Sequence, residues 1–393
     1  MKDGRTWAEI DLDVIAANYR YIKTCTDAKV CCVIKADAYS HGDVYLARKY
    51  QQLGAEYFAV SNIEEALRLR AAGISTPVLI LGYTPSENAQ ILAENEITQC
   101  VYSTEYAEKL SEKAVAFNCN VRIHIKVDTG MSRLGFCYQN TEADAAAIDE
   151  IAAVCSLPGL RHEGIFTHFA VADDGERGED FTRNQMHCFT HLVEKLEERG
   201  LEFELKHCAN SAGTLDFADS HFDMVRAGII LYGLAPSGAM RNKGDFKPAL
   251  SLKSVVSNVK TIRKGATVSY GRTFTAEKDM HIATVPIGYA DGYSRHLSEA
   301  GACLLLRGKR CPIVGRVCMD QLMIDLGDMD DVKIGEVVTV IGTDGNESVT
   351  ADELAALDGT INYEVLCSIG TRVPRIYLEN GKEVARHNYI YSE

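Results

Sequence analysis

Eight short apolar runs alternate with helical patterns between residues 30 and 232, and near Pro236 that rhythm gives way to short alternating strands with turn signals. No Gly-x-Gly-x-x-Gly follows an early strand, so a dinucleotide-binding open sheet has no positive support. These observations predict an α/β protein: a (β/α)8 TIM-like barrel over residues 11–235, then a mostly β domain over residues 236–393 that also takes in the N-terminal strand, residues 1–10. At 393 residues the chain exceeds one ordinary small domain, and 46% hydrophobic residues suffice for a buried core.

Taken in order, Thr6 to Leu12 alternates like a half-buried strand, and Asp13 is placed to cap a helix over Val14 to Thr24. Barrel strands are expected at Val30–Lys35, Tyr57–Ser61, Pro77–Leu81, Thr98–Tyr102, Val121–Val127, Gly164–Phe169, Leu205–Asn210 and Met224–Tyr232. Between most of them lie helical patterns: Val44–Leu53, Ile63–Ala72, Glu87–Ala93, Glu105–Ala116, Glu142–Val154 and Asp180–Arg199. The second domain reads as strands Leu250–Ile262, Ala266–Tyr270, His281–Ile287, Cys303–Leu306, Cys311–Cys318, Leu322–Leu326, Val337–Ile341 and Ser368–Tyr377. One helix, Ala351–Leu357, intervenes.

The net charge of −14 argues against nucleic acid or anionic membrane as the main partner. Thirteen scattered cysteines show no zinc spacing and read as reduced, mostly buried small hydrophobes of a cytoplasmic protein. The N-terminus has no apolar h-region, and no run of 18 apolar residues suggests a membrane helix.

Chemistry on a barrel gathers at the C-terminal ends of its strands. Lys35 ends the first expected strand, where a dry cavity lowers an amine's pKa and frees it to bond a carbonyl. Tyr39 follows in its loop; Lys126 and Arg133 flank the end of the fifth strand, and His168 ends the sixth. Ser211 follows the seventh strand, while Arg226, Gly228 and Ile229 lie in the eighth. Singly, each has a plain structural reading: a surface lysine, a satisfied core histidine, an ion-paired arginine, a turn glycine. Their coincidence at one rim is what points to a site.

The string Val30-Cys31-Cys32-Val33-Ile34-Lys35-Ala36-Asp37-Ala38-Tyr39-Ser40-His41-Gly42 resembles the cofactor-lysine motif of the alanine racemase family, pyridoxal-phosphate (PLP) enzymes of fold type III, with Ser40 where the family usually has glycine. The resemblance extends over essentially the whole chain, through Lys126 to Gly135, Arg226 to Ile229, Val268 to Phe274, Ile287 to Tyr293, Cys318 to Asp320 and Thr360 to Val365. It implies that Lys35 holds PLP and that Arg226 faces the pyridine nitrogen. Ser211, Gly228, Ile229, Tyr39 and Tyr363 would hold the phosphate. Because arginine keeps its proton, the ring nitrogen stays unprotonated and the cofactor is a weaker electron sink, which suits a simple proton exchange at Cα. The family implies two bases, Lys35 on one face and Tyr270 on the other, with His168 contacting Tyr270 and Arg226 contacting His168. Arg133 and the Met319 backbone would bind substrate, and Lys126 would be carbamylated. A homodimer with shared sites, a cytoplasmic location and D-alanine supply to the cell wall also follow from the resemblance. Rivals are a serine or broad-spectrum amino-acid racemase on the same fold, a fold-type III decarboxylase, and a non-enzymatic PLP carrier. The β domain and Tyr270 count against the carrier.

Overall fold

The computed structural model describes residues 4–390, so the outermost three residues of each expected end lie outside the described residues. The chain divides into two compact units: Ala16–Ala38 with Asp43–Lys247, and Met1–Ile15 with Tyr39–Gly42 and Pro248–Glu393.

Strand β1 (Thr6–Asp11) opens the chain. The helix after it begins at Leu12, and its cap is Asp11 rather than Asp13: the Asp11 carboxylate accepts the N–H groups of Asp13 at 2.9 Å and Val14 at 3.1 Å. The first-named unit is a barrel of eight parallel strands: β2 (Lys29–Val33), β3 (Tyr57–Val60), β4 (Val78–Ile80), β5 (Ile97–Val101), β6 (Val121–Asp128), β8 (Leu160–Phe166), β9 (Leu205–His207) and β10 (Met224–Ala227). A two-residue strand β7 (Phe136–Cys137) pairs only with β6. The ladder runs β10-β2-β3-β4-β5-β6-β8-β9. Backbone bonds from Asp223 to Lys206 (3.0 Å) and from Arg226 to Ala209 (2.9 Å) bridge the last gap. Nearly every residue of β2 to β5 is buried, as expected for parallel strands covered on both faces.

The expected strands are present, but several limits move. Lys35 lies two residues beyond β2, and His168 two beyond β8, which begins at Leu160. Strand β10 stops at Ala227, because Ile229–Tyr232 is a 3₁₀ turn. The segment Lys35–Ser40 departs most from expectation. Ala36, Asp37, Ala38, Tyr39 and Ser40 have φ of 53, 54, 52, 54 and 63°, and none is glycine. A left-handed turn costs L-residues about 1–2 kcal/mol each, so the surroundings must impose it. In the barrel, Ala38 N–H donates to Ile34 and Ala36 N–H to the Glu65 carboxylate. In the other unit, buried Arg375 donates to the carbonyl of Ser40, and the Ser40 hydroxyl to that of Cys367. Gly42 must be glycine: a Cβ there would meet the Tyr377 hydroxyl at 1.8 Å.

In the second unit β1 lies between antiparallel β11 (Leu250–Val255) and the parallel strand Arg375–Glu379. The expected strand Leu250–Ile262 is two strands in different sheets. At Val256 the backbone bonds to Glu336 and at Ser257 to Thr284, and the chain passes into β12 (Asn258–Ile262). Short strands β13 (Thr267–Val268) and β14 (Phe274–Thr275) flank Tyr270, and β15 (Met280–Val285) pairs with β12. The expected strand Cys311–Cys318 is only Lys309–Pro312, and Ser368–Tyr377 shortens to Arg375–Glu379, preceded by a helix, Asn362–Cys367, that carries Tyr363. All thirteen cysteines are free, eight of them buried. Among the described residues, no helix is long and apolar enough to cross a membrane.

Candidate active site

Arg226, on β10, is 3% exposed and held by several hydrogen bonds. Its guanidinium donates to the carbonyls of Thr167 (2.7 Å) and Cys208 (3.1 Å) and to ring nitrogens of His207 (2.8 Å) and His168 (3.1 Å). Burial pushes its pKa down to about 10, which still leaves a cation at neutral pH.

Lys126, on β6, is also buried. Its ammonium donates to the Val127 carbonyl at 2.6 Å, and it shares the Phe166 ring with Arg226, the two charges lying 5.5 and 5.2 Å from the ring centre. Burial, abetted by Arg226 and Arg133, lowers its pKa to about 8. Loss of hydration and then the charges of Arg226, Lys126, Arg133 and Lys35 hold His168 well below the usual imidazole range. His168 is therefore neutral, and the basic side chains around it favour an anionic ligand at this rim.

Arg133 is exposed in a loop that Asp128 shapes by accepting the N–H groups of Gly130 and Ser132. Ser211 starts a short helix after β9, and its hydroxyl accepts the N–H of Gly228 at 2.9 Å, which joins two of the five expected phosphate-site residues; Ile229 follows directly and is fully buried.

Other residues singled out in the sequence belong to the second unit. The rings of Tyr39 and Tyr363 lie 6.0 Å apart, and burial raises the Tyr39 phenol's pKa, so it stays a neutral donor. Tyr270 sits in a turn where Ser269 and Arg272 take positive φ. The Ser269 hydroxyl donates to the Arg316 carbonyl at 2.6 Å and lies 3.4 Å from the Cys318 sulfur, tying the Tyr270 turn to the segment bearing Met319. Tyr270 and Met319 are 69% and 53% exposed, unusual for side chains so large and apolar.

The sequence reading passed over His124, Glu163, His207 and Arg375. The first three sit on barrel strands and hydrogen-bond or face one another behind Arg226. Their signal was polar side chains interrupting otherwise apolar runs.

A parallel barrel with basic side chains gathered at its C-terminal rim, followed by a β domain, is the architecture of a barrel enzyme with its site at that rim. The family description "Alanine racemase, N-terminal domain" matches residues 10–236, and "Alanine racemase, C-terminal domain" matches residues 249–377. The chain belongs to the alanine racemase family. It is 44% identical over 387 residues to alanine racemase of Clostridium tetani, covering 98% of both chains. To that of Methanococcus maripaludis it is 44% identical over 95% of this chain and 98% of the other. A solved alanine racemase of Clostridium difficile superposes with a TM-score of 0.93 at 40% identity, covering 100% of both chains. A histidine racemase of Leuconostoc mesenteroides superposes at 0.85 with 32% identity, covering 96% of this chain and 99% of that one.

Proposed function

We propose that this protein interconverts L-alanine and D-alanine with pyridoxal phosphate, using Lys35 and Tyr270 as bases on opposite faces of Cα. The observation that carries the reading is the buried Arg226 guanidinium at the barrel rim, bonded to His168 and sharing the Phe166 ring with Lys126. That donor set fits the cofactor. Lys35 offers an amine for the aldehyde. Arg226 only donates, so it faces the pyridine nitrogen without yielding a proton. Ser211, Gly228, Ile229, Tyr39 and Tyr363 offer hydroxyl and N–H donors for a dianionic phosphate. When bound, the cofactor supplies an electron-withdrawing group conjugated to the substrate Cα, which acidifies its C–H bond.

The chain's own residues do the rest. Arg133 pairs with the substrate carboxylate, and the Met319 backbone fixes the opposite side. Lys35 takes or returns the Cα proton on one face, and Tyr270 does so on the other. His168 accepts from Arg226 through Nδ1 and so presents an N–H at Nε2, a donor suited to steadying the phenolate that Tyr270 becomes. The exposure of Tyr270 and Met319 supports a homodimer in which each site takes Lys35 from one chain and Tyr270 from its partner. In a cytoplasmic setting its product would feed cell-wall peptide synthesis.

A second reading, racemisation of another amino acid, is favoured by the histidine racemase of the same fold. Incubating purified protein with each L-amino acid and following chirality separates the two. Turnover of alanine above all others supports the first reading, and none with alanine overturns it.

A further inference from the structure

Arginine can only donate hydrogen bonds, and this fixes the protons along a chain of side chains inside the barrel. Arg226 reaches Nδ1 of His207 at 2.8 Å, so that nitrogen accepts and the ring proton sits on Nε2. His207 Nε2 lies 2.9 Å from Nδ1 of His124, which must then accept, leaving the His124 proton on its own Nε2. That N–H faces the Glu163 carboxylate at 3.6 Å. The chain from Arg226 through His207 and His124 thus has one polarity and ends on an anion.

The terminus is built into the strands. Between β6 and β8 the register jumps: Ile123 faces His162 and His124 faces Gly164, so Glu163 is the extra residue of a β-bulge. Bulges re-aim side chains, and they gather beside active sites. Gly164 leaves the space the imidazole occupies, since a Cβ there would come within 2.7 Å of three ring atoms of His124. Glu163 is steadied by the hydroxyls of Tyr57 and Thr98, each 3.2 Å from its Oε2. Burial is the main force holding His207 well below the usual imidazole range, and it lowers His124 too, so both rings are neutral. The neighbouring His124 imidazole, its Nε2 3.6 Å away, is the main influence holding Glu163 down to about 2, so it is an anion.

We infer that Glu163 and His124 are positioning residues for Arg226: they lock the His207 tautomer that lets Arg226 donate, and so orient the guanidinium presented to the cofactor. This rests on the proposed place of Arg226 at the pyridine nitrogen. Without the carboxylate, His124 can move its proton to Nδ1 and donate to His207. His207 must then carry its proton on Nδ1, where two donors oppose each other and Arg226 is displaced.

The test uses holoenzyme labelled with ¹⁵N-histidine, in which protonated and bare ring nitrogens resonate far apart. Wild type and Glu163→Gln, which keeps an acceptor, are expected to show neutral His207 with its proton on Nε2. Glu163→Leu is expected to shift that proton toward Nδ1 and to lower kcat about tenfold or more with a smaller change in KM, while Glu163→Gln recovers most of the rate. A wild-type His207 that is charged or protonated on Nδ1 overturns the inference. So does a folded Glu163→Leu protein with both tautomer and kcat unchanged. The tautomers are read whether or not PLP is bound, so a protein lacking the cofactor's visible absorbance would sink the functional reading and leave the His207 result standing by itself.

Discussion

Arg375 donates from Nε to the carbonyl of Ser40 across 2.8 Å, and the same guanidinium also reaches the carbonyls of Ile369, Gly370 and Val373. One buried cation thus closes the left-handed turn that carries Tyr39 and fastens it to the segment following Tyr363. Removing it leaves several buried carbonyls without a donor, at about 1–3 kcal/mol each. Arg375→Leu is expected to destabilise the protein by more than about 3 kcal/mol in chemical denaturation. Ser40→Gly removes a Cβ from a positive-φ position and loses one long hydrogen bond, so it should fall between neutral and about 1 kcal/mol stabilising. A clearly destabilising Ser40→Gly would mean that the hydroxyl bond, and not the backbone geometry, dominates at this position.

Lys126 makes a prediction about pH. Its pKa in the folded protein is about 8 against 10.5 for a free lysine, so between those values the unfolded chain holds a proton that the folded protein has lost. Stability arising from this group therefore rises with pH through that window. Carbon dioxide adds only to the neutral amine. A carbamate at Lys126, labelled from ¹³C-bicarbonate, should be seen by ¹³C NMR near pH 8–9 and fade as the pH falls well below 8. A bare amine at pH 9 contradicts carbamylation.

Sharing of sites predicts complementation. Lys35→Ala and Tyr270→Phe homodimers should each be nearly inactive. Mixed under conditions of subunit exchange, they should regain activity, because a heterodimer holds one intact site. Proven exchange without recovery rules out the shared arrangement.

The barrel was legible because its strands are buried on both faces and so appear as continuous apolar runs. The left-handed turn was not: Ala36, Asp37, Ala38 and Tyr39 carry no local mark for positive φ, which is imposed by groups as distant in sequence as Arg375. Helix Asn362–Cys367 was missed because six residues are too few to show a period. The edge strand Lys382–His387 was missed because an exposed edge strand need not be apolar. Lys35, Lys126, Arg133, His168 and Arg226 could be named from their motifs, but the His124–Glu163 terminus depends on a bulge that no single strand reveals.

Tyr363, on that missed helix with its ring 6.0 Å from Tyr39, is the residue proposed to bound the substrate side chain. A ring bounding the side-chain pocket leaves room for little beyond a methyl group, and an apolar wall rejects an added hydroxyl by a factor of only about 100. Alanine should be preferred, with measurable turnover of serine, and Tyr363→Asn should move kcat/KM toward serine. A wild-type enzyme with higher kcat/KM for serine or a long-chain amino acid would refute the pocket argument.

The account's central claim is that Lys35 holds the cofactor, and borohydride reduction of the purified yellow protein followed by peptide mapping tests it most directly. A phosphopyridoxyl group on the peptide containing Lys35 is the predicted result. Its attachment to another lysine, or to none, would contradict the account.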